Sequence, residues 1–245
     1  MRTHRNSGVI GKVVSSTTPS VASLDERRVA SPFIIATGGT ISCVSCYRYH
    51  TFTANGTFAV TGGGSETVCY VVVGGGGASG ASGRSGCFFF AGGQGGSGGV
   101  VAASNATLTS SCLPVVVGSG NTTPGSNGSN STFNGKIAYG GGAGSTWNGG
   151  SVLPGQNGGS GGAAGHADNL GCGGGSHYVY SSPGSAIQPS SASGGYGGNG
   201  STCYSNGGKA NYTWVNGVVY GGSSGYGAAG AAGIVIIRYK YSKLV

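Results

Sequence analysis

The alternation of apolar and polar residues defines the legible elements of this chain. Tyr47-Arg-Tyr-His-Thr-Phe-Thr places aromatic and polar side chains on alternate positions, the two-residue period of a half-buried strand. Gly56-Thr-Phe-Ala-Val follows the Asn55-Gly56 turn signal, so the two segments are predicted to pair as a hairpin. Thr67–Val73 is apolar and runs straight into four glycines, and Gly99–Thr109 and Leu113–Gly118 supply two more predicted strands. The strongest is Gly233-Ile-Val-Ile-Ile-Arg-Tyr-Lys-Tyr, β-branched at first and then alternating. No segment sustains a 3.6-residue period, and the fold class predicted is all-β.

Between residues 118 and 232 neither period persists. Glycine tracts such as Gly158-Gly-Ser-Gly-Gly and Gly194-Gly-Tyr-Gly-Gly alternate there with connectors carrying Trp147, Tyr178, Tyr180, Tyr196 and Trp214. Flexible linkers are Gly/Ser without aromatics, and a strong strand resumes at Ile234, so the stretch reads as an insertion returning to one β-framework. The predicted organisation is an arm over 1–35 and a domain over 36–245, with a β-framework at 36–117 and 233–241 and the glycine-rich tract at 118–232. The five aromatics have two readings: stacking faces offered to a saccharide or a protein, or plugs between glycine layers.

Composition sharpens this picture. Charged residues are 7% of the chain, against roughly 25% in ordinary domains, while 57 of 245 residues are glycine. Glycine loses the most conformational entropy on folding, so its order needs a source: solvated loops hung on strands, or extended three-residue helices packed backbone to backbone. The +8 charge arises from 12 Lys and Arg against Asp25, Glu26, Glu66 and Asp168 alone. The cations are scattered, which argues against nucleic-acid binding. The N-terminus lacks an apolar region after its charges, and no apolar run approaches the ~20 residues of a bilayer span, so neither a secretory signal nor membrane insertion is expected. The seven cysteines have no scaffold spacing, and buried thiols in a reducing compartment are the favoured reading.

Motifs that carry chemistry elsewhere are weak here. Cys43-Val-Ser-Cys46 is a lone CxxC, and a structural zinc site wants four ligands; a disulfide across the turn or plain thiols are the alternatives. Gly93–Gly98 satisfies GxGxxG and Gly95–Gly99 satisfies GxSxG, but only through glycine abundance. Lys12, Lys136 and Lys209 follow glycines but precede Val13, Ile137 and Ala210, where a phosphate loop needs Ser or Thr. Only Glu66 and Asp168 lie outside the arm, too few for paired-carboxylate catalysis, and His166-Ala-Asp168 reads as a hydrogen-bonded loop. No catalytic residue, cofactor or metal is therefore assigned.

Ala36-Thr-Gly-Gly-Thr, Tyr49-His-Thr-Phe-Thr-Ala-Asn-Gly-Thr-Phe-Ala-Val, Tyr70-Val-Val-Val-Gly-Gly-Gly-Gly, a long glycine-rich tract and Gly233-Ile-Val-Ile-Ile-Arg-Tyr occur in that order. Over residues 36–239 the chain resembles the glycine-rich domain of bacteriophage tail-fibre and related virion proteins. The resemblance implies a β-sandwich-like base with tracts packed as polyglycine helices, and a non-catalytic fibre or adhesin subunit that attaches to the host surface. A capsid decoration or head-fibre protein is the alternative, and a glycan-degrading tailspike enzyme ranks last. The chain departs from the family at Ser42–Cys46, where a simple Gly/Ser turn is usual. Localisation in the virion, after assembly in the host cytoplasm, is expected. So are homo-oligomerisation, a host-surface glycan or protein as partner, and docking onto another virion protein through Val9, Ile10, Val13, Arg27, Arg28 and Phe33.

Overall fold

The computed structural model describes residues 33–64, 67–159, 166–169, 177–179 and 229–241, the two short internal stretches as backbone. Among these residues the fold is all-β and contains no helix. In chain order the strands are β1 (Ile35–Thr37), β2 (Thr40–Val44), β3 (Tyr47–Phe52), β4 (Gly56–Gly62), β5 (Val68–Val73), β6 (Gly83–Ser85), β7 (Phe88–Ala91) and β8 (Val100–Ala106). They continue with β9 (Cys112–Val115), β10 (Ser131–Phe133), β11 (Lys136–Ala138), β12 (Thr146–Trp147), β13 (Val152–Leu153), β14 (His166–Asn169), β15 (His177–Val179) and β16 (Ile234–Lys240).

A five-stranded sheet, β2-β3-β16-β5-β8, and a three-stranded sheet, β1-β4-β9, share one core. The first contributes Phe52, Val68, Tyr70, Val72, Val235, Ile237 and Tyr239, and the second Ala36, Phe58, Leu113 and Val115. Each fully buried large side chain here is worth roughly 1.5–3 kcal/mol. The last strand explains its own composition: Val235, Ile237 and Tyr239 face this core, while Ile234 and Ile236 pack with Val71, Val73 and Val100 in a second cluster. Buried on both faces, β16 is continuously β-branched before alternation begins.

Two expectations change. The segments flanking Asn55-Gly56 do not form a hairpin: β3 pairs with β2 and β16, whereas β4 pairs with β1 and β9. The chain crosses there from one sheet to the other, with Asn55 Oδ1 accepting from the Val117 N–H at 2.9 Å. Likewise the glycine layer is not confined to 118–232, because residues 74–82 and 92–99 belong to it. At the arm boundary, Ile34 is buried in the core and β1 starts at Ile35.

The glycine pair at the start of the domain has a packing reason. Gly38 and Gly39 turn the chain between β1 and β2 at φ 111° and 61°, and a Cβ on Gly38 would stand 1.9 Å from the Thr57 carbonyl oxygen. This turn aims the Gly38 carbonyl at His50, which is fully buried. The carbonyl can only accept, so Nδ1 carries the proton at 2.7 Å, and Nε2 accepts from the Tyr239 hydroxyl at 3.0 Å. Burial holds His50 below its ordinary pKa of 6.5, and nearby Arg48 acts in the same direction. Burial pushes the Tyr239 phenol up.

From this base, glycine segments extend as rods. The N–H groups of Gly74, Gly77 and Gly80 donate to the carbonyls of Gly99, Gly96 and Gly93. Those of Gly75 and Ala78 donate to Ser129 and Ser126, and that of Gly76 to Ala231. Partners thus change with each residue and return every third, the period of the polyglycine helix, whereas a strand addresses two sides only. The next layer repeats the rule, with Gly93, Gly96 and Gly99 donating to Ser145, Gly142 and Tyr139. Buried backbone groups are thereby satisfied without a sheet. Packing excludes side chains: a Cβ on Gly77 would lie 2.2 Å from Gly142 O, and one on Gly95 2.1 Å from Gly77 O.

Two outcomes are expected. Gly95→Ala should lower unfolding free energy by about 3 kcal/mol or more through overpacking, whereas Gly150→Ala, where a Cβ meets nothing within 4 Å, should change it by under about 0.5 kcal/mol; denaturant titration of both variants measures this. For His50 the unfolded chain binds a proton near pH 6.5 that the folded state refuses. Stability should therefore be complete above that pH and fall as pH drops below it. His50→Phe should remove that part of the slope while itself destabilising the fold.

Candidate functional site

At about 3.1 Å per residue, the eight residues 92–99 span ~25 Å between the tip hairpin and the start of β8, so what the rods hold at their far end stands clear of the base. Gly74–Gly80 leads out of β5 and ends in the β6–β7 hairpin, and 92–99 returns to β8. The 140–145 rod runs parallel to the outgoing one, Gly141 and Gly144 donating to Gly75 and Ala78, and delivers the β12–β13 hairpin to the same end. The Trp147 N–H donates to Ala81 O at 2.9 Å, and Thr146 Oγ1 accepts from the Ala81 N–H at 2.8 Å, fixing one hairpin to the other.

The result is an aromatic tip. Trp147 stacks on Phe90 with ring centroids 4.4 Å apart and planes 6° from parallel. The indole also lies over Gly83, where a Cβ would come 1.8 Å from Cδ1, so this glycine is a seat for the ring. Phe88 and Phe89 are half-buried, and the exposed Arg84 guanidinium lies 5.8 Å from the centre of the Phe89 ring. Exposed Asn148 closes the β12–β13 turn, its Oδ1 accepting from the Ser151 N–H at 3.0 Å. β14 extends the sheet alongside β7, in the order β15-β14-β7-β6. Flat apolar rings, a cation and exposed amide and hydroxyl groups together suit contact with an amphipathic surface, by stacking and hydrogen bonding.

Of the surface-recognition residues predicted from sequence, Trp147 is at this tip and Tyr178 is on β15 of the tip sheet, described as backbone. Tyr180, Tyr196 and Trp214 lie outside the described residues, as do the arm residues Val9, Ile10, Val13, Arg27 and Arg28. Phe33 is half-buried, its carbonyl where a Cβ on Gly63 would stand 1.9 Å away, so it is part of the base. Phe88, Phe89, Phe90 and Arg84 were not predicted as recognition residues. Their signal was position: an aromatic run midway between two glycine segments of similar length.

Cysteine usage departs from buried thiols. Cys87, in the tip hairpin, is disulfide-bonded, and Cys43 and Cys112 are exposed free thiols. Cys46 is free and buried, so the CxxC pair forms no bond across its turn. The GxGxxG and GxSxG segments at 93–99 are one rod leading into β8, with their backbone bonded into the layer. Among the described residues no three His, Cys, Asp or Glu side chains gather as a metal site. Compared with known protein families and with curated proteins, the chain matches none.

The seat at Gly83 makes a specific prediction. Gly83→Ala should leave the rods folded but displace the indole, shifting Trp147 emission to the red in a Trp214→Phe background; an unchanged spectrum would show that the ring does not rest there.

Proposed function

We propose that this chain is a bacteriophage virion structural protein, a fibre or adhesin subunit that mediates attachment to the host surface without catalysis. The observation that supports the reading most is the mounting of the aromatic tip: rods stiffened by hydrogen bonds on three sides hold Trp147, Phe90, Phe89 and Arg84 about 25 Å beyond the base. Rigid rings lose little entropy on contact, and a stalk made mostly of glycine offers a host few features to bind. The base would face the particle, and the arm would join the subunit to another virion protein.

Labelled full-length protein applied to cells of susceptible bacteria tests this. Retention on cells, reduced at least about tenfold by Phe89→Ala with Arg84→Ala, is the expected result, since lost rim contacts of ~1.4 kcal/mol in total already give that factor. Retention unaffected by both substitutions would move recognition away from the tip. Release of oligosaccharides from isolated host polysaccharide would replace the adhesin reading with an enzymatic one.

A further inference from the structure

The five-stranded sheet has two edges of unlike character. At one, β8 is blunted: its pairing with β5 shifts register between Val68 and Tyr70, and Asn105 turns to φ 51°. Such irregularity is a common protection against edge-to-edge pairing. At the other, β2 is five residues of Thr-Ile-Ser-Cys-Val in unbroken register with β3. It has no charge, no proline and no bulge, which are the usual safeguards of an exposed edge. An antiparallel ladder turns the N–H and C=O groups of alternate residues outward, and among the described residues those of β2 meet no partner.

Apolar exposure concentrates at the same place. Of eight large hydrophobic side chains exposed among the described residues, Ile41 (45%), Val44 (57%), Tyr47 (41%) and Tyr241 (43%) lie along this edge. They fall on both faces of the ribbon: Val44 is opposite Tyr47 in register, while Ile41 is opposite the core-facing His50. Tyr241 joins the Ile41 side through its N–H bond to Cys46 O and its ring against Arg48. A docked strand would therefore find both hydrogen-bonding groups and apolar contacts above and below it.

We propose that β2 is a self-association edge, occupied by β2 of a second copy of this chain in antiparallel register. A neutral strand is complementary to itself under a two-fold axis, and such a pairing closes as a dimer. Pairing of β2 with the far edge of another copy would instead need the blunted β8. The register that engages all five residues centres on Ser42: Ser42 faces itself, Ile41 faces Cys43, and Thr40 faces Val44. The two five-stranded sheets then continue into one. This assignment does not depend on the adhesin reading.

Full-length protein in sedimentation equilibrium at tens of micromolar should have twice the mass of the 23.6 kDa chain. Ile41→Lys should return it to monomer, with an unchanged circular dichroism spectrum. Ser42→Cys in a Cys43→Ser background should form an interchain disulfide on mild oxidation, which keeps the test open if the lysine variant fails to fold. A monomeric native chain, a dimer that survives Ile41→Lys, or absence of the Ser42→Cys cross-link would each overturn the proposal. Loss of the dimer on deleting residues 2–30 would also overturn it, by showing the arm of a neighbouring copy to be the occupant.

Discussion

Carbonyl oxygens about 2 Å from the place of an absent Cβ are the constraint on which the glycine layer depends. Each such approach admits glycine alone, and the layer contains it at Gly74, Gly75, Gly77, Gly92, Gly95, Gly98, Gly141 and Gly144. In return the backbone bonds in three directions instead of two. The rod 74–80 is held by hydrogen bonds to 93–99, 121–129, 141–144 and Ala231 together. Where side chains enter, they are small or replace a backbone acceptor. Ala78, Ser97 and Ser145 are buried in the layer, and Asn130 and Asn127 supply side-chain oxygens to the Gly140 and Ala143 N–H groups at 2.8 Å each. The scarcity of charge follows, because a layer of this kind has almost no place for a long side chain.

Such a layer could not order itself. Fixing a residue's backbone costs roughly 1–2 kcal/mol, glycine more than others, while a net hydrogen bond returns about 0.5–1.5 kcal/mol. The sheets supply what is missing by setting the start of each rod: β5, β8, β11 and β16 all end or begin at its boundary. The hydrophobic core carries that burden, with His50 and Tyr239 binding strands that are 189 residues apart in sequence. The base fixes the rods, the rods fix the tip, and the geometry of Trp147 on Phe90 is a remote consequence of packing around Phe58.

Legibility in the sequence divides along the same line. β5, β8, β9 and β16 could be read because their burial is two-sided or alternating, and that information is local. The false hairpin at Asn55-Gly56 shows the limit: turn chemistry specifies a reversal but not which sheet receives the next strand, and here each segment had better partners elsewhere. A three-residue period was present in Gly92-Gly-Gln-Gly-Gly-Ser-Gly-Gly99, with side chains only at every third position, but a search for periods of 2 and 3.6 passes over it. Trp147 stood out as an aromatic among glycines. Phe88–Phe90 read correctly as strand-forming, yet its place at the tip depends on rod lengths and pairing, which no local window contains.

Amide hydrogen exchange along residues 74–80 tests the layer most directly, since its claim is that consecutive residues outside any strand are bonded in turn to different neighbours. The account predicts protection of Gly74, Gly75, Gly76, Gly77, Ala78 and Gly80 comparable to that of β5 and β16. Exchange of these amides at the rate of an unstructured glycine chain, with the strands still protected, would contradict it.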